Sequence, residues 1–397
     1  MESDGIPFFV PQITKEDKKA IREALNSRWL TGGPRAKDFE NAFADFVGSK
    51  YAVAVNSCTA ALHLAMRVLD IGPGDEVIVP DLTFAATANA PIFCGAKPVF
   101  ADIEEDTFNV SPKQILAKIT SKTKAIIPVH YGGQPCDMRE LLEIAEDYHL
   151  PIVEDCAHSL GAEYDGKETG NFGVMGCFSF YPTKMITTLE GGMITTNDEE
   201  IEKRMRILRE HGMNRNALER ELGTTWHYDV IDLGYNYRLT EAQAALGISQ
   251  LKRLSDGIKR RKRIAQYYDK ELDTEDLGIS VPHRAAHRSH VFHLYTIKYT
   301  KSKSGPTRNE LFKYLATAGI QSSVHYTPLH LMSFYKQFLK KSDAFPIAEK
   351  IFEQILSLPL YPALTRKKVI LITNRISDSI RKSNATSMGA LTRCPHI

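Results

Sequence analysis

Lys184 lies in the stretch SFYPTKMITTLEGG, between an aromatic run and a glycine pair, with hydroxyl side chains on both sides. A lysine taken out of water loses its preference for the ammonium form, and the free amine is then a nucleophile that forms Schiff bases with carbonyls. Ser179 and Thr183 beside it offer hydroxyls to a phosphate, and Gly191 and Gly192 let the backbone pass close to a ligand. A solvated turn lysine is the plain alternative, and the apolar runs GCFSFY and GGMIT on either side weigh against it. Earlier, PIVEDCAHS ends an apolar run with Glu154, Asp155 and then His158. A carboxylate there is costly unless it meets a cation or several donors, so magnesium, a helix cap and a protonated ring nitrogen all stay open. In YAVAVNSCTAAL an apolar strand runs into a helix through Asn56, Ser57, Cys58 and Thr59, the arrangement that holds a phosphate or simply caps the helix.

Taken together these residues suit pyridoxal 5'-phosphate. That group needs a lysine for its aldehyde, a phosphate cup, a carboxylate for its ring nitrogen and an aromatic face. Lys184 answers the aldehyde and Asp155 the nitrogen. Ser57, Thr59 and Ser179 answer the phosphate, and Phe84 of PDLTFAAT the ring face.

The elements that must position these residues alternate. YAVAV, DEVIVP, KPVFADI, KAIIPVHY and LPIVEDCA are short β-rich runs separated by helical patterns such as TAALHLAMRVL and MRELLEIAEDYH, the order of parallel strands with helical crossovers. GCFSFY and GGMITTN follow so closely that they read as neighbouring strands. A long helical pattern to about Leu272 carries KRRKR, read as a solvated face. The pattern then changes to a strand HVFHLYTIKY, a helix TRNELFKYLATAGI, a strand SSVHY and a helix PIAEKIFEQIL. The expected division is a large α/β domain over 1–250 and a smaller α+β domain over 251–397.

Ten ordered blocks, among them SRWLTGGP, AVNSCTAALHLA, GDEVIVPDLTF, IIPVHYGGQPCD, FSFYPTKMITTLEGG, GYNYRLTEAQAALGISQL and VHYTPLH, make the chain similar to the DegT/DnrJ/EryC1/StrS family of nucleotide-sugar aminotransferases. The resemblance implies a three-layer fold-type I α/β large domain with a mainly parallel sheet, plus the small C-terminal α+β domain. It implies that Lys184 carries the cofactor as a Schiff base, that Asp155 partners the pyridine nitrogen and that His158 lies near the phenolic oxygen. Thr59, the Ala60 backbone and Ser179 then belong to the phosphate cup, Phe84 stacks on the ring, and a partner subunit lends Asn236, so that two copies share their active sites. Amine passes from glutamate to give pyridoxamine 5'-phosphate, and from there to a keto group, at C4, of a UDP- or dTDP-linked deoxysugar. Thr31 and Gly32, with His325, His330, His290 and His293, are expected to border the sugar nucleotide. A lysine rather than a histidine at 184 favours amination over the dehydration some members perform.

Two other readings on the same scaffold are a nucleotide-sugar dehydratase or lyase, which consumes no glutamate, and a non-catalytic cofactor-binding regulator, which has no sugar-dependent half-reaction. A nicotinamide dehydrogenase is disfavoured because NSCTAAL contains no G-x-G-x-x-G. The 397 residues are 43% hydrophobic and 25% charged, enough for a large core in about two domains. No run approaches a membrane span, the start MESDGIPFFV lacks a signal peptide's features, and the cytoplasm is the expected compartment. Six scattered cysteines without a C-x-x-C pair read as free thiols, with no metal expected. The net charge of +2 gives the body no nucleic-acid signature. From Thr365 onward seven basic residues face one acid where the family commonly has an acidic terminal helix, and this basic end is expected to be solvated or frayed.

Overall fold

A computed structural model describes residues 5–215, 226–272, 277–302 and 305–391, side chains beyond Arg381 excepted. The larger part of the chain runs α1 (Lys15–Leu25), α2 (Pro34–Val47), β1 (Tyr51–Val55), α3 (Cys58–Val68), β2 (Glu76–Pro80), α4 (Ala85–Phe93), β3 (Lys97–Ala101), α5 (Pro112–Lys118), β4 (Thr123–Ile126), α6 (Met138–Asp147) and β5 (Val153–Asp155). A short hairpin, β6 (Glu163–Tyr164) and β7 (Lys167–Glu168), precedes β8 (Met175–Ser179), β9 (Gly192–Thr196), α7 (Glu199–Arg209) and α8 (Glu241–Leu251).

Strands β3–β2–β4 are parallel, and bridges Ile126 to Ile152 and Val129 to Asp155, also parallel, join them to β5–β8–β9–β1. In this mainly parallel sheet only β9 runs against its neighbours β8 and β1. Alternation along each strand sends side chains to both faces. Val53 and Val55 join the core under α3, while Ala52 and Ala54 join the opposite core built on Phe39 and Phe43 of α2. Met175 and Cys177 divide from Phe178 in the same way. Helices therefore cover both faces, which makes three layers. The strand expected over KAIIPVHY is shorter, because Pro128 has no N–H with which to continue the ladder.

The rest of the chain builds a second, antiparallel sheet. After α9 (Leu254–Leu272) come β10 (Ile279–Ser280), β11 (Tyr295–Tyr299), α10 (Arg308–Thr317), α11 (Pro346–Gln354), β12 (Ile355–Leu358) and α12 (Arg366–Leu391), with strand order β10–β11–β12. Its core gathers Tyr268, Tyr295, Leu311 and Leu356, and Ile6 from the start of the chain. SSVHY is not the strand expected: Ser323 makes one bridge to Ser357, and the segment then leaves the sheet. β11 begins only at Tyr295, because Val291 and Leu294 donate their N–H groups to Gly133 and Gly132.

Two charge-based expectations are corrected here. Within KRRKR, Arg261 is only 2% exposed and donates to the carbonyls of Phe292 (3.2 Å) and Leu360 (2.9 Å). The basic end is docked as α12. Val369, Ile372, Ile376 and Ile380 recur at helical spacing and are buried in the second core. Ile376→Ala is expected to cost about 2–5 kcal/mol, and thermal unfolding measures it. A melting temperature within a degree of the parent's would show that α12 packs no core.

Candidate active site

Because β1, β2, β4, β5 and β8 run parallel, their carboxyl ends meet at one edge, where ligands bind in such sheets. A cavity of about 520 Å³ opens there. Ser57, Thr59, Phe84, Asp155, His158, Ser179, Lys184 and His325 line it together, although they are spread over most of the chain.

Ser57 caps α3: its Oγ accepts the Ala60 N–H at 3.1 Å, leaving the first N–H groups of the helix toward the cavity side. Gly192 at the start of β9 makes this close packing possible. A Cβ there would lie 2.6 Å from the Ser57 carbonyl oxygen.

Glu154 and Asp155 are successive residues of one strand and so face opposite ways. Glu154 accepts N–H groups from Gly170 (2.8 Å), Phe172 (2.7 Å) and Gly173 (2.8 Å), and binds His130 at 3.0 Å. Cys156 lies close to this pair. The Cys136 N–H points at His130 Nδ1, so Nε2 carries the ring proton and donates it to Glu154. That leaves no imidazole lone pair for a metal.

Asp155 faces the cavity. Thr87 Oγ1 donates to its Oδ2 at 2.8 Å and the Ala157 N–H to Oδ1 at 3.1 Å, and Thr83 Oγ1 lies 2.9 Å from Thr87 Oγ1. Burial pushes its carboxyl above the usual range, with these two bonds and the Lys184 charge opposing. Such an acid is poised for a cation brought beside it.

Lys184 sits on the connection from β8 to β9, which bonds back on itself: Thr188 N–H and Thr187 Oγ1 both donate to the Phe180 carbonyl at 3.0 Å. Burial brings the amine down to about 8, against the pull of Cys58 and Asp155. The aromatic and glycine flanks thus place an ammonium-forming group where its neutral form is accessible. Above about pH 8 the amine is free, so capture of an aldehyde by cofactor-free protein should rise through that pH. The rate of pyridoxal uptake, followed by absorbance, measures it. A midpoint near the ordinary 10.5 would show an amine in water.

His158 receives the Gly132 N–H on Nδ1 at 3.3 Å and meets Tyr326 Oη through Nε2 at 3.0 Å. Burial, then the Lys184 and His325 charges, push it well below its usual value, so the ring is neutral. Its Nε2 carries the proton and Tyr326 Oη accepts it. His325 is pushed down to about 4 by burial and is held by Ser357 Oγ at 2.9 Å. The His293 ring lies 4.4 Å from that of His158, tilted by 37°, and also lines the cavity.

Other expected residues lie elsewhere. Ala60 is buried behind the cavity lining, its N–H bonded to Ser57. Thr31 is exposed and bridges Thr240, and neither it nor the adjacent Gly32 lines the cavity. Asn236 is exposed beside Asn56, outside the cavity of its own chain. His290 turns away to bond the Phe292 N–H. His330 is also not in the lining. Its N–H and Nδ1 bind Asp81 at 3.0 and 2.6 Å, and its Nε2 faces Glu349 at 3.2 Å. That pair ties the segment bearing His325 and Tyr326 to the end of β2, three residues before Phe84, whose ring lies 5.9 Å from that of Tyr326. Cys394 lies outside the described residues.

Tyr326, Thr87, Phe8 and Phe9 were not singled out from the sequence. Tyr326 lies inside a quoted motif, whereas Thr87 becomes visible only once α4 is set against β5. The lysine, the acid, the hydroxyls at a helix N-terminus and the aromatic ring around one cavity fit the cofactor expected from the sequence.

Comparison with known proteins agrees. The chain is 43% identical over 379 residues to the spore coat polysaccharide biosynthesis protein SpsC of Bacillus subtilis, covering 95% of this chain and 97% of that protein. It is 40% identical to the GDP-perosamine synthase of Caulobacter vibrioides, covering 92% and 95%. Spr1654 from Streptococcus pneumoniae, solved in its PLP form, superimposes with a TM-score of 0.88 at 34% identity, over 96% of this chain and 99% of that one. The model of the DegT/DnrJ/EryC1/StrS aminotransferase family matches residues 11–377, and the chain belongs to that family.

Proposed function

We propose that the protein is a pyridoxal-phosphate-dependent aminotransferase that moves the amine of glutamate onto a keto group, at C4, of a nucleotide-linked deoxysugar. The observation that carries this reading is the shared cavity of Lys184 and Asp155 at the carboxyl edge of the sheet. Family membership supports amine transfer, and the sugar named for the Caulobacter relative supports the class of acceptor. When bound, pyridoxal phosphate supplies an aldehyde for the amine and a ring that draws off negative charge.

The chain's own residues supply the rest. Lys184 Nζ, lowered to about 8, takes up and returns a proton at the reacting carbon. Asp155, oriented by Thr87 and Ala157, accepts from a protonated ring nitrogen. Ser57, Thr59 and Ser179 bind phosphate at the N-terminus of α3. Phe84 would stack on the ring, and the neutral His158 would lie near its phenolic oxygen.

Asn236 is assigned to the site of a second copy. Shortly before it in the chain Trp226, Val230, Ile231 and Leu233 are 85%, 60%, 55% and 71% exposed, an apolar stretch that suits a homodimer face. The cytoplasm is the proposed compartment, in keeping with the free thiols at Cys58, Cys94, Cys136, Cys156 and Cys177. Among the described residues no helix is long and apolar enough to cross a membrane.

The test is incubation with glutamate and a panel of UDP-, dTDP- and GDP-linked keto sugars, followed by mass spectrometry. An aminated sugar with stoichiometric 2-oxoglutarate is expected. Loss of water from a sugar without consumption of glutamate would instead mark a dehydratase.

A further inference from the structure

The cavity has two unlike sides. The side at the sheet edge carries Ser57, Thr59, Asp155, Ser179 and Lys184, whereas the second sheet's side sets the carbon of Leu294, Leu358 and Leu360 beside Ser323, His325 and Tyr326. Residues 6–12, which no sequence motif marks, enlarge the carbon part of that side. This strap is pinned at both ends. Ile6 exchanges backbone bonds with Gly319 (2.8 Å) and Gln321 (2.9 Å), the Phe8 N–H donates to Gln321 Oε1 at 3.1 Å, and the Gln12 carbonyl accepts from Gln250 Nε2 at 3.1 Å. Between the pins both aromatic rings reach the cavity. Phe8 packs on His325 with ring centres 5.5 Å apart. Phe9 also lines a small second hollow that Lys184 lines too, and Arg261 lies over its ring at 6.0 Å.

We propose that residues 6–12 form the substrate-selecting wall of the site, with Phe8 and Phe9 the specificity-determining residues that favour keto sugars bearing a methyl group beside the reacting carbon over those bearing a hydroxymethyl. The inference rests on the aminotransferase reading above and adds to it the element that chooses the substrate. A methyl pressed against these rings gains contact and loses water. A hydroxyl in the same place loses its water and meets carbon. Hydrophobic pockets discriminate such a pair by about 10–100-fold.

The test compares kcat/KM for a nucleotide-linked 4-keto-6-deoxyhexose and its 6-hydroxy counterpart, after each protein has been shown to convert glutamate in a single turnover. The parent chain is expected to prefer the deoxy sugar by about 10–100-fold. Phe8→Ala and Phe9→Ala should shrink the preference to about threefold or less, while Phe8→Leu and Phe9→Leu, which keep the wall apolar, should retain most of it. Phe8→Asn preserves the strap's backbone bonds and serves as a second probe if an alanine variant does not fold. A parent preference under threefold, or an undiminished one in the alanine and asparagine variants, overturns the inference. A parent chain that converts no glutamate overturns the aminotransferase reading, and the inference falls with it.

Discussion

Lys184→Ala is expected to lower turnover by at least about 10⁴-fold and to yield a protein without the yellow colour of the cofactor-bound parent. The amine is the only primary amine lining the cavity among the described residues, and the turn that carries it is closed by backbone and threonine bonds that do not involve the side chain. The variant should therefore fold, and its circular dichroism and melting temperature should match the parent's. Lys184→Arg sharpens the test. A guanidinium keeps the positive charge but does not give up its proton near neutrality, so an amine that acts as base and nucleophile is lost as completely as with alanine. Were Lys184 only a counter-charge for Asp155, arginine would restore most of the rate. Turnover of the arginine variant within a hundredfold of the parent would remove Lys184 from the chemistry.

Asp155→Asn should leave a coloured protein whose single turnover with glutamate is about 10²–10⁴-fold slower. The two oxygens of Asp155 each accept a hydrogen bond, from Thr87 Oγ1 and from the Ala157 N–H. An amide turns an NH₂ toward one of these donors, so the side chain either rotates or leaves a bond unmade, at about 1–3 kcal/mol. More importantly, it carries no charge with which to hold a ring nitrogen protonated. Burial raises the acid even with the Lys184 charge opposing, and a further cation within about 4–6 Å acts against that shift. Rapid-scan absorbance measures the rate, and an asparagine variant within tenfold of the parent would separate Asp155 from catalysis.

The residues that do the chemistry were legible because their types are costly where the pattern put them. An acid at the end of β5 and a lysine between apolar runs each demand a partner, and the parallel order of the strands brings both demands to one edge. Residues that act by facing were not legible. His330 shares a motif with His325 and Tyr326, yet a short turn sends it to Asp81 instead of the cavity. SSVHY has the composition of a strand, but the ladder position beside β11 goes to β12. Phe8 and Phe9 belong to a segment with no periodicity, and only its pinning to Gly319 and Gln250 shows which way they point. At the other end, basic composition concealed the helical spacing of Val369, Ile372, Ile376 and Ile380.

That last core has a consequence for how the molecule is made. Ile6, ahead of α1, and Ile380, within α12, belong to it together. During translation, therefore, Ile6 finds its full set of neighbours only once α12 has been read. The strap that borders the catalytic cavity is seated in that same late event, so a nascent chain cut short before α12 has every residue of the Lys184 loop and still lacks a finished enzyme.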